Sequence, residues 1–156
     1  MFTEICDITP LNKQEILSLH IAKGQENYIE TTSECLAEAQ EDTRFVPVGL
    51  YQEKQAVGFA MYGLFPHPIE KTRVWLDRYL IDERFQNRGL GKYFLYKLID
   101  FLTSKYHCSK VYLSVYDDNA VAIQLYEKFG FQFNGEFDIN GEKVMVKEVI
   151  AYEHCS

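Results

Sequence analysis

The sequence has no basic excess: 16 Lys and Arg stand against 23 Asp and Glu, a net charge of −7 over 156 residues. A nucleic-acid binder needs a basic face for the phosphates, so that partner is not expected. An acidic surface concentrates cations, which suits a small cationic substrate. It also serves plain solubility. Cysteine is sparse: Cys6, Cys35, Cys108 and Cys155 lie far apart, with no Cys-x-x-Cys pair. That spacing argues against zinc or disulfides and for reduced thiols in a cytoplasmic protein. His20, His67, His107 and His154 form no metal-spaced set, so no metal is expected. No apolar run approaches the roughly 18 residues of a membrane span. The opening MFTEICDITP is acidic and without a long apolar stretch, so neither a signal peptide nor a membrane partner is expected. Repeats, low-complexity tracts and Pro/Gly/Ser linkers are all missing, and the length predicts one domain over residues 1–156.

What is present is core-forming material: 47% of residues are hydrophobic and 15% aromatic, ample for a packed interior. Phe2 to Ile8 alternates like a strand. Asn12 to Ala22 reads as a helix, and Ser33 to Gln40 as a shorter one. Phe45 to Tyr51 and Ala56 to Gly63 predict an antiparallel hairpin around the polar turn Gln52-Glu53-Lys54-Gln55. Phe65-Pro66-His67-Pro68 is expected to be a loop, because two prolines disrupt a ladder. Arg73 to Ile81 is a strand with Trp75, Asp77 and Tyr79 on one face. Leu90, Phe94, Leu98 and Leu102 mark a long amphipathic helix from Leu90 to Tyr106. Lys110 to Tyr116 is a strand. Asn119 to Phe129 is a helix with Ala122, Leu125, Tyr126 and Phe129 on one stripe, and Asn119 is its candidate cap. Asn140-Gly141 between Phe137-Asp138-Ile139 and Val144-Met145-Val146 signals a hairpin. The order β-α-α-β-β-β-α-β-α-β-β predicts an α/β fold, a mixed central sheet of about seven strands flanked by helices.

Between the Arg73–Ile81 strand and the Leu90 helix lies Gln86-Asn87-Arg88-Gly89-Leu90-Gly91-Lys92. A helix N-terminus presents unpaired amides and a positive dipole end, which suits an anion. Two glycines let a phosphate approach the backbone, and Arg88 and Lys92 add charge. The spacing is neither a Walker loop nor the three-glycine dinucleotide fingerprint. By itself, a plain turn explains it equally well.

Gln86-x-x-Gly89-x-Gly91 resembles the Gln/Arg-x-x-Gly-x-Gly/Ala motif of the GNAT superfamily of acetyl-CoA-dependent N-acetyltransferases. About thirty residues on, Asn119-x-x-Ala122-x-x-Leu125-Tyr126-x-x-x-Gly130-Phe131 is similar to that superfamily's second motif. The stretches RVWLDRYLIDERFQNRGLGK, YLSVYDDNAVAIQLYEKFGF and NGEKVMVKE resemble the bacterial spermine/spermidine acetyltransferases. The resemblance covers nearly the whole chain and implies the GNAT fold.

It also implies roles. Backbone groups of Tyr79, Leu80 and Ile81 would pair with the pantetheine of acetyl-CoA, and the Ile81 amide would meet the oxyanion. Gln86, Asn87, Arg88, Gly89, Leu90, Gly91 and Lys92 would form the pyrophosphate loop. Asn119, with Ala122 and Tyr126 of the second motif, would complete the cofactor side. Tyr126 would protonate the departing thiolate; its stripe would equally suit a core aromatic. Asp77 falls where related animal enzymes carry a glutamate base. The shorter side chain makes a bridging water more apt, and a strand carboxylate paired with Arg73 or Arg78 is the alternative. Glu26, Glu30, Glu34 and Glu38 recur every four residues, a stripe for ammonium groups if helical, with Tyr28, Tyr62 and Trp75 as aromatic neighbours; a solvated helix face explains the same spacing. The expected substrate is a small cationic amine, spermidine or spermine. An aminoglycoside, an arylalkylamine, a protein N-terminus, or mere CoA binding by a regulatory module stay open. The family also suggests a homodimer.

Overall fold

The computed structural model describes residues 2–20 and 31–149. Its elements are β1 (Thr3–Asp7), α1 (Lys13–Leu17), α2 (Thr32–Glu41), β2 (Phe45–Gln52), β3 (Gln55–His67), β4 (Lys71–Ile81), α3 (Leu90–Tyr106), β5 (Lys110–Val115), α4 (Ala120–Lys128), β6 (Gln132–Phe137) and β7 (Lys143–Glu148). This is the expected order, with one 3-10 turn, Glu83–Phe85, added between β4 and α3. The strands form a seven-stranded mixed sheet in the order β1-β2-β3-β4-β5-β7-β6. β4 and β5 are parallel, paired at Trp75 and Tyr112. The chain divides into two compact units, Met1–Gly63 with Asp77–Phe94, and Leu64–Leu76 with Leu95–Ser156.

In the first unit, β2 and β3 form the expected hairpin, with Gln52 opposite Gln55. Glu53 and Lys54 at its tip have φ of 49° and 67°, the paired positive φ of a type I′ turn, whose twist matches that of the strands. Its core gathers Ile16, Leu36, Phe59, Met61 and Leu80. Ile16, Phe59 and Met61 are fully buried, each stabilising by about 1.5–3 kcal/mol relative to exposure.

Two expectations are corrected here, and a third reaches the described residues only in part. The first helix is only Lys13–Leu17; Ser18 Oγ donates back to Glu15 O at 2.6 Å, a bond that competes with helix continuation. Of the expected Glu26–Glu38 stripe, Glu34 and Glu38 lie on α2, which starts at Thr32. Thr31 is its extended N-cap, in a capping box with Glu34. Glu34 is thus spent on the cap, Glu38 sits 3.5 Å from Arg78, and Glu26, Tyr28 and Glu30 lie outside the described residues. Tyr62, expected beside the amine, is buried in β3 at 2% exposure.

In the second unit, β3 runs on through Phe65 and Pro66 to His67, where a loop was expected. The β2 partners end at Phe45 opposite Gly63. Beyond that point no β2 carbonyl awaits the N–H that Pro66 lacks, so proline is tolerated in extended backbone. Leu98 and Leu102 of α3 are fully buried, as are Val111 of β5 and Met145 of β7. The β6–β7 hairpin exists, but β6 begins at Gln132 and its turn is longer than a two-residue Asn-Gly loop. Asp138 N donates to Glu142 O at 2.8 Å and Gly141 N to Asp138 O at 3.0 Å. This is the three-residue hairpin built on a type I turn. Cys6, Cys35 and Cys108 carry free thiols.

Candidate active site

The glycine loop begins where β4 ends. Asp82 follows the strand and is fully buried. Its carboxylate accepts from Arg84 N at 2.8 Å and His20 N at 2.8 Å, and from Arg84 Nε at 2.9 Å. Burial pulls its pKa upward, but the hydrogen bonds from Arg84 and His20 outweigh that and hold it below the usual carboxylate range. Asp82 was not singled out in the sequence; its only signal was a carboxylate directly after an apolar strand. Gln86 Nε2 donates to Ile81 O at 2.9 Å, so this motif residue ties the loop back to the strand end. Asn87 takes φ 63° and Gly89 φ 78°. Gly89 suits the left-handed region because it has no Cβ.

Tyr93 N donates to Gly89 O at 3.1 Å, the first bond of α3. The amides of Leu90, Gly91 and Lys92 precede it and have no helical carbonyl. A Cβ placed on Gly89 or Gly91 would meet nothing within 4 Å, so the space outside both is open. Arg88 and Lys92 are exposed beside it. Tyr79 donates its hydroxyl to Gly91 O at 2.5 Å, a side-chain role in holding the loop that the sequence did not announce. The loop therefore fits a diphosphate: free amides, a positive dipole end, two cationic side chains and open space.

Asp77, Tyr79, Leu80 and Ile81 sit on the C-terminal half of β4 in the same unit. Leu80 and Ile81 are buried and Asp77 half-buried, with Asp77 Oδ2 shielded from solvent. Arg78 Nη1 donates to the backbone carbonyl of Asp77 at 2.7 Å. Arg73, the other cation weighed as a partner for Asp77, lies in the second unit and is held by Glu136 at 2.7 Å and Glu70 at 3.3 Å. Its guanidinium stacks 4.2 Å over the ring of Tyr112. Tyr112 donates to Glu70 and packs on Trp75 at 5.4 Å. Burial, then the Glu70 hydrogen bond, pushes the Tyr112 hydroxyl up to about 12. This network holds Trp75, and neither Tyr112 nor Glu70 was singled out in the sequence.

α4 carries the second motif. Asn119 caps its start, Oδ1 accepting from Ala122 N at 3.4 Å. Tyr126 lies three residues before the end. Gly130 N donates to Glu127 O at 3.0 Å and Phe131 N to Tyr126 O at 3.1 Å. Those two bonds, with Gly130 at φ 91°, make a Schellman ending. The accompanying apolar contact is Tyr126 against Phe131, edge to face at 5.7 Å, and Phe131 is 1% exposed. The spacing Tyr-x-x-x-Gly-Phe is thus a physical requirement: glycine to turn left-handed, phenylalanine to hold the tyrosine ring. Burial pushes the Tyr126 hydroxyl up to about 12, so it keeps its proton at neutral pH. Among the described residues, no group of three or more His, Cys, Asp or Glu could hold a metal ion, and no helix is long and apolar enough to cross a membrane.

Residues 13–131 match the model of the acetyltransferase (GNAT) family. This chain belongs to that family. It is 53% identical over 152 residues to the spermine/spermidine N(1)-acetyltransferase of Bacillus subtilis (strain 168), covering 96% of this chain and 100% of the relative. Its fold is similar to that of aminoglycoside acetyltransferase AAC(6′)-Ib in complex with coenzyme A, with a TM-score of 0.78, 17% identity, and coverage of 97% and 98% of the two chains. It is also similar to a spermidine N-acetyltransferase SpeG chimera from Vibrio cholerae and hSSAT, with a TM-score of 0.69, 19% identity, and coverage of 99% and 98%. The GNAT family member described here is an acetyl-CoA-dependent N-acetyltransferase. The α/β fold with its seven-stranded mixed sheet is as the sequence led one to expect.

Proposed function

We propose that this enzyme acetylates a primary amine of a polyamine, spermidine or spermine, by direct attack in a ternary complex in the cytoplasm. The observation that carries the substrate is the 53% identity, end to end, with a Bacillus subtilis enzyme named for that reaction. The net charge of −7 is in keeping with a polycation.

Acetyl-CoA supplies a thioester-activated acetyl group. The amides from Asn87 to Lys92, with Arg88 and Lys92, hold its diphosphate at the positive end of α3. Gln86 shapes that loop. Backbone groups of Tyr79, Leu80 and Ile81 pair with the pantetheine arm, and the Ile81 amide faces the developing oxyanion. Asn119 and Ala122 serve the same arm. A primary amine with a pKa near about 10 is mostly protonated at neutral pH and must lose a proton before it attacks. Asp77, directly or through one water, takes that proton. Tyr126, which carries its proton at neutral pH, gives it to the departing thiolate. Asp77 serves the amine side; Glu26, Tyr28 and Glu30, expected there with Trp75, lie outside the described residues. The working form is a homodimer, checked by sedimentation.

The test is thiol release from acetyl-CoA over a panel of amines. Turnover with spermidine and spermine is expected. Turnover with an aminoglycoside or arylalkylamine but none with polyamines would overturn the substrate. Tight CoA binding without transfer to any amine would make the protein a binding module. Tyr126→Phe is expected to lower kcat by about 100-fold, as loss of a general acid does; undiminished turnover would remove that role.

A further inference from the structure

α4 has an unusual anchorage for a helix that bears a catalytic group. None of its side chains is buried over its whole surface, although the Tyr126 hydroxyl is desolvated, so apolar packing alone does not fix its position. Polar contacts at its ends take that task. The Schellman bonds satisfy the carbonyls of Tyr126 and Glu127. The carbonyl of Phe129, the C-cap residue, is met from outside the helix: Lys147 Nζ donates to Phe129 O at 2.5 Å. Lys147 lies on β7, whose Met145 is fully buried and whose residues pair with β5 from Lys110 opposite Glu148 to Val115 opposite Lys143. It is therefore carried by a central strand. Its ammonium also stands 3.1 Å from where a Cβ on Gly130 would be, so it fits closely against the helix end. A cation there complements the negative end of the helix dipole.

We infer that Lys147 is a positioning residue for Tyr126, an ammonium strut from the sheet that fixes the end of α4 and with it the direction of the phenol three residues earlier. The inference rests on the reading of Tyr126 as the acid. A misplacement of about 1 Å in a reacting group can cost about 100-fold, and three residues are less than one helical turn from the strut.

Lys147→Met keeps the aliphatic stem and removes the donor. Acetyl transfer to spermidine is measured for the wild type, Lys147→Met, Lys147→Arg, Tyr126→Phe and the double variant Lys147→Met/Tyr126→Phe, well below each variant's Tm. The expectation is a fall in kcat of about tenfold for Lys147→Met, KM for acetyl-CoA unchanged, partial recovery in Lys147→Arg, and no further loss when Lys147→Met is added to Tyr126→Phe. A Lys147→Met variant with lowered Tm and wild-type kcat would reduce the lysine to a plain helix cap and overturn the inference. So would losses that multiply in the double variant, since the lysine would then act independently of Tyr126. Failure of the parent reading is distinguishable: Tyr126→Phe itself would then turn over like the wild type. Should Lys147→Met not fold, Lys147→Leu, which also lacks a donor, carries the same comparison.

Discussion

The N-terminus of α3 and the C-terminus of α4 face the same physical problem and meet it in opposite ways. Each helix end leaves backbone groups without helical partners. At α3 the amides of Leu90, Gly91 and Lys92 open onto empty space, and glycine keeps it empty. At α4 the carbonyls are closed off by Phe131 N, Gly130 N and Lys147 Nζ. Glycine appears at both ends for different reasons. Gly91 is there for what a side chain would obstruct, whereas Gly130 is there for a backbone angle of φ 91°. An end left open suits a ligand. An end sealed by the protein suits a side chain that must point in one direction.

The comparison can be stressed experimentally. Base is expected to act most strongly on the closed end. A tyrosine raised from 10 to about 12 in the folded state stabilises fully below pH 10, and that contribution is lost as pH rises toward 12. Denaturation followed across this range should show the wild type losing at most about 2 kcal/mol more than Tyr126→Phe. Equal losses would mean the phenol is not desolvated. Next comes Gly130→Ala, which forces a side chain into left-handed backbone at a cost of about 1–2 kcal/mol. At this chain length that lowers Tm by about 2–4 °C per kcal/mol, readable by calorimetry. Asn119→Ala removes the cap at the other end of α4 and is expected to cost about 1 kcal/mol, with a rise in KM for acetyl-CoA. The smallest change is the most discriminating. Gly91→Ala adds a good helix former where a Cβ meets nothing, so stability is expected to rise by up to about 1 kcal/mol, while affinity for acetyl-CoA falls. Unchanged affinity would mean that the open space at α3 is not the diphosphate site.

Much of the fold was legible because its signals are local. The four-residue repeat of Leu90, Phe94, Leu98 and Leu102 marks α3, and all four are buried as that period requires. Turn chemistry marks the β2–β3 hairpin. Pro66 misled because a proline's cost depends on whether a neighbouring strand wants its N–H, and the β2 pairing of β3 stops at Gly63, opposite Phe45. At the start of α2, Thr31 and Glu34 satisfy each other, a local bond that the four-residue glutamate periodicity does not announce. Asp82 and the Tyr79 hydroxyl escaped notice because their partners, His20 N and Gly91 O, are set by folding rather than by spacing.

By itself the sequence determined the family, the element order and the two motifs, since these reside in short spacings that each local segment enforces. Only the tertiary structure decided which backbone groups stay open and which are sealed. That depends on residues distant in the chain, such as Lys147 reaching Phe129 and Glu136 reaching Arg73, and no spacing within a single element encodes where they meet.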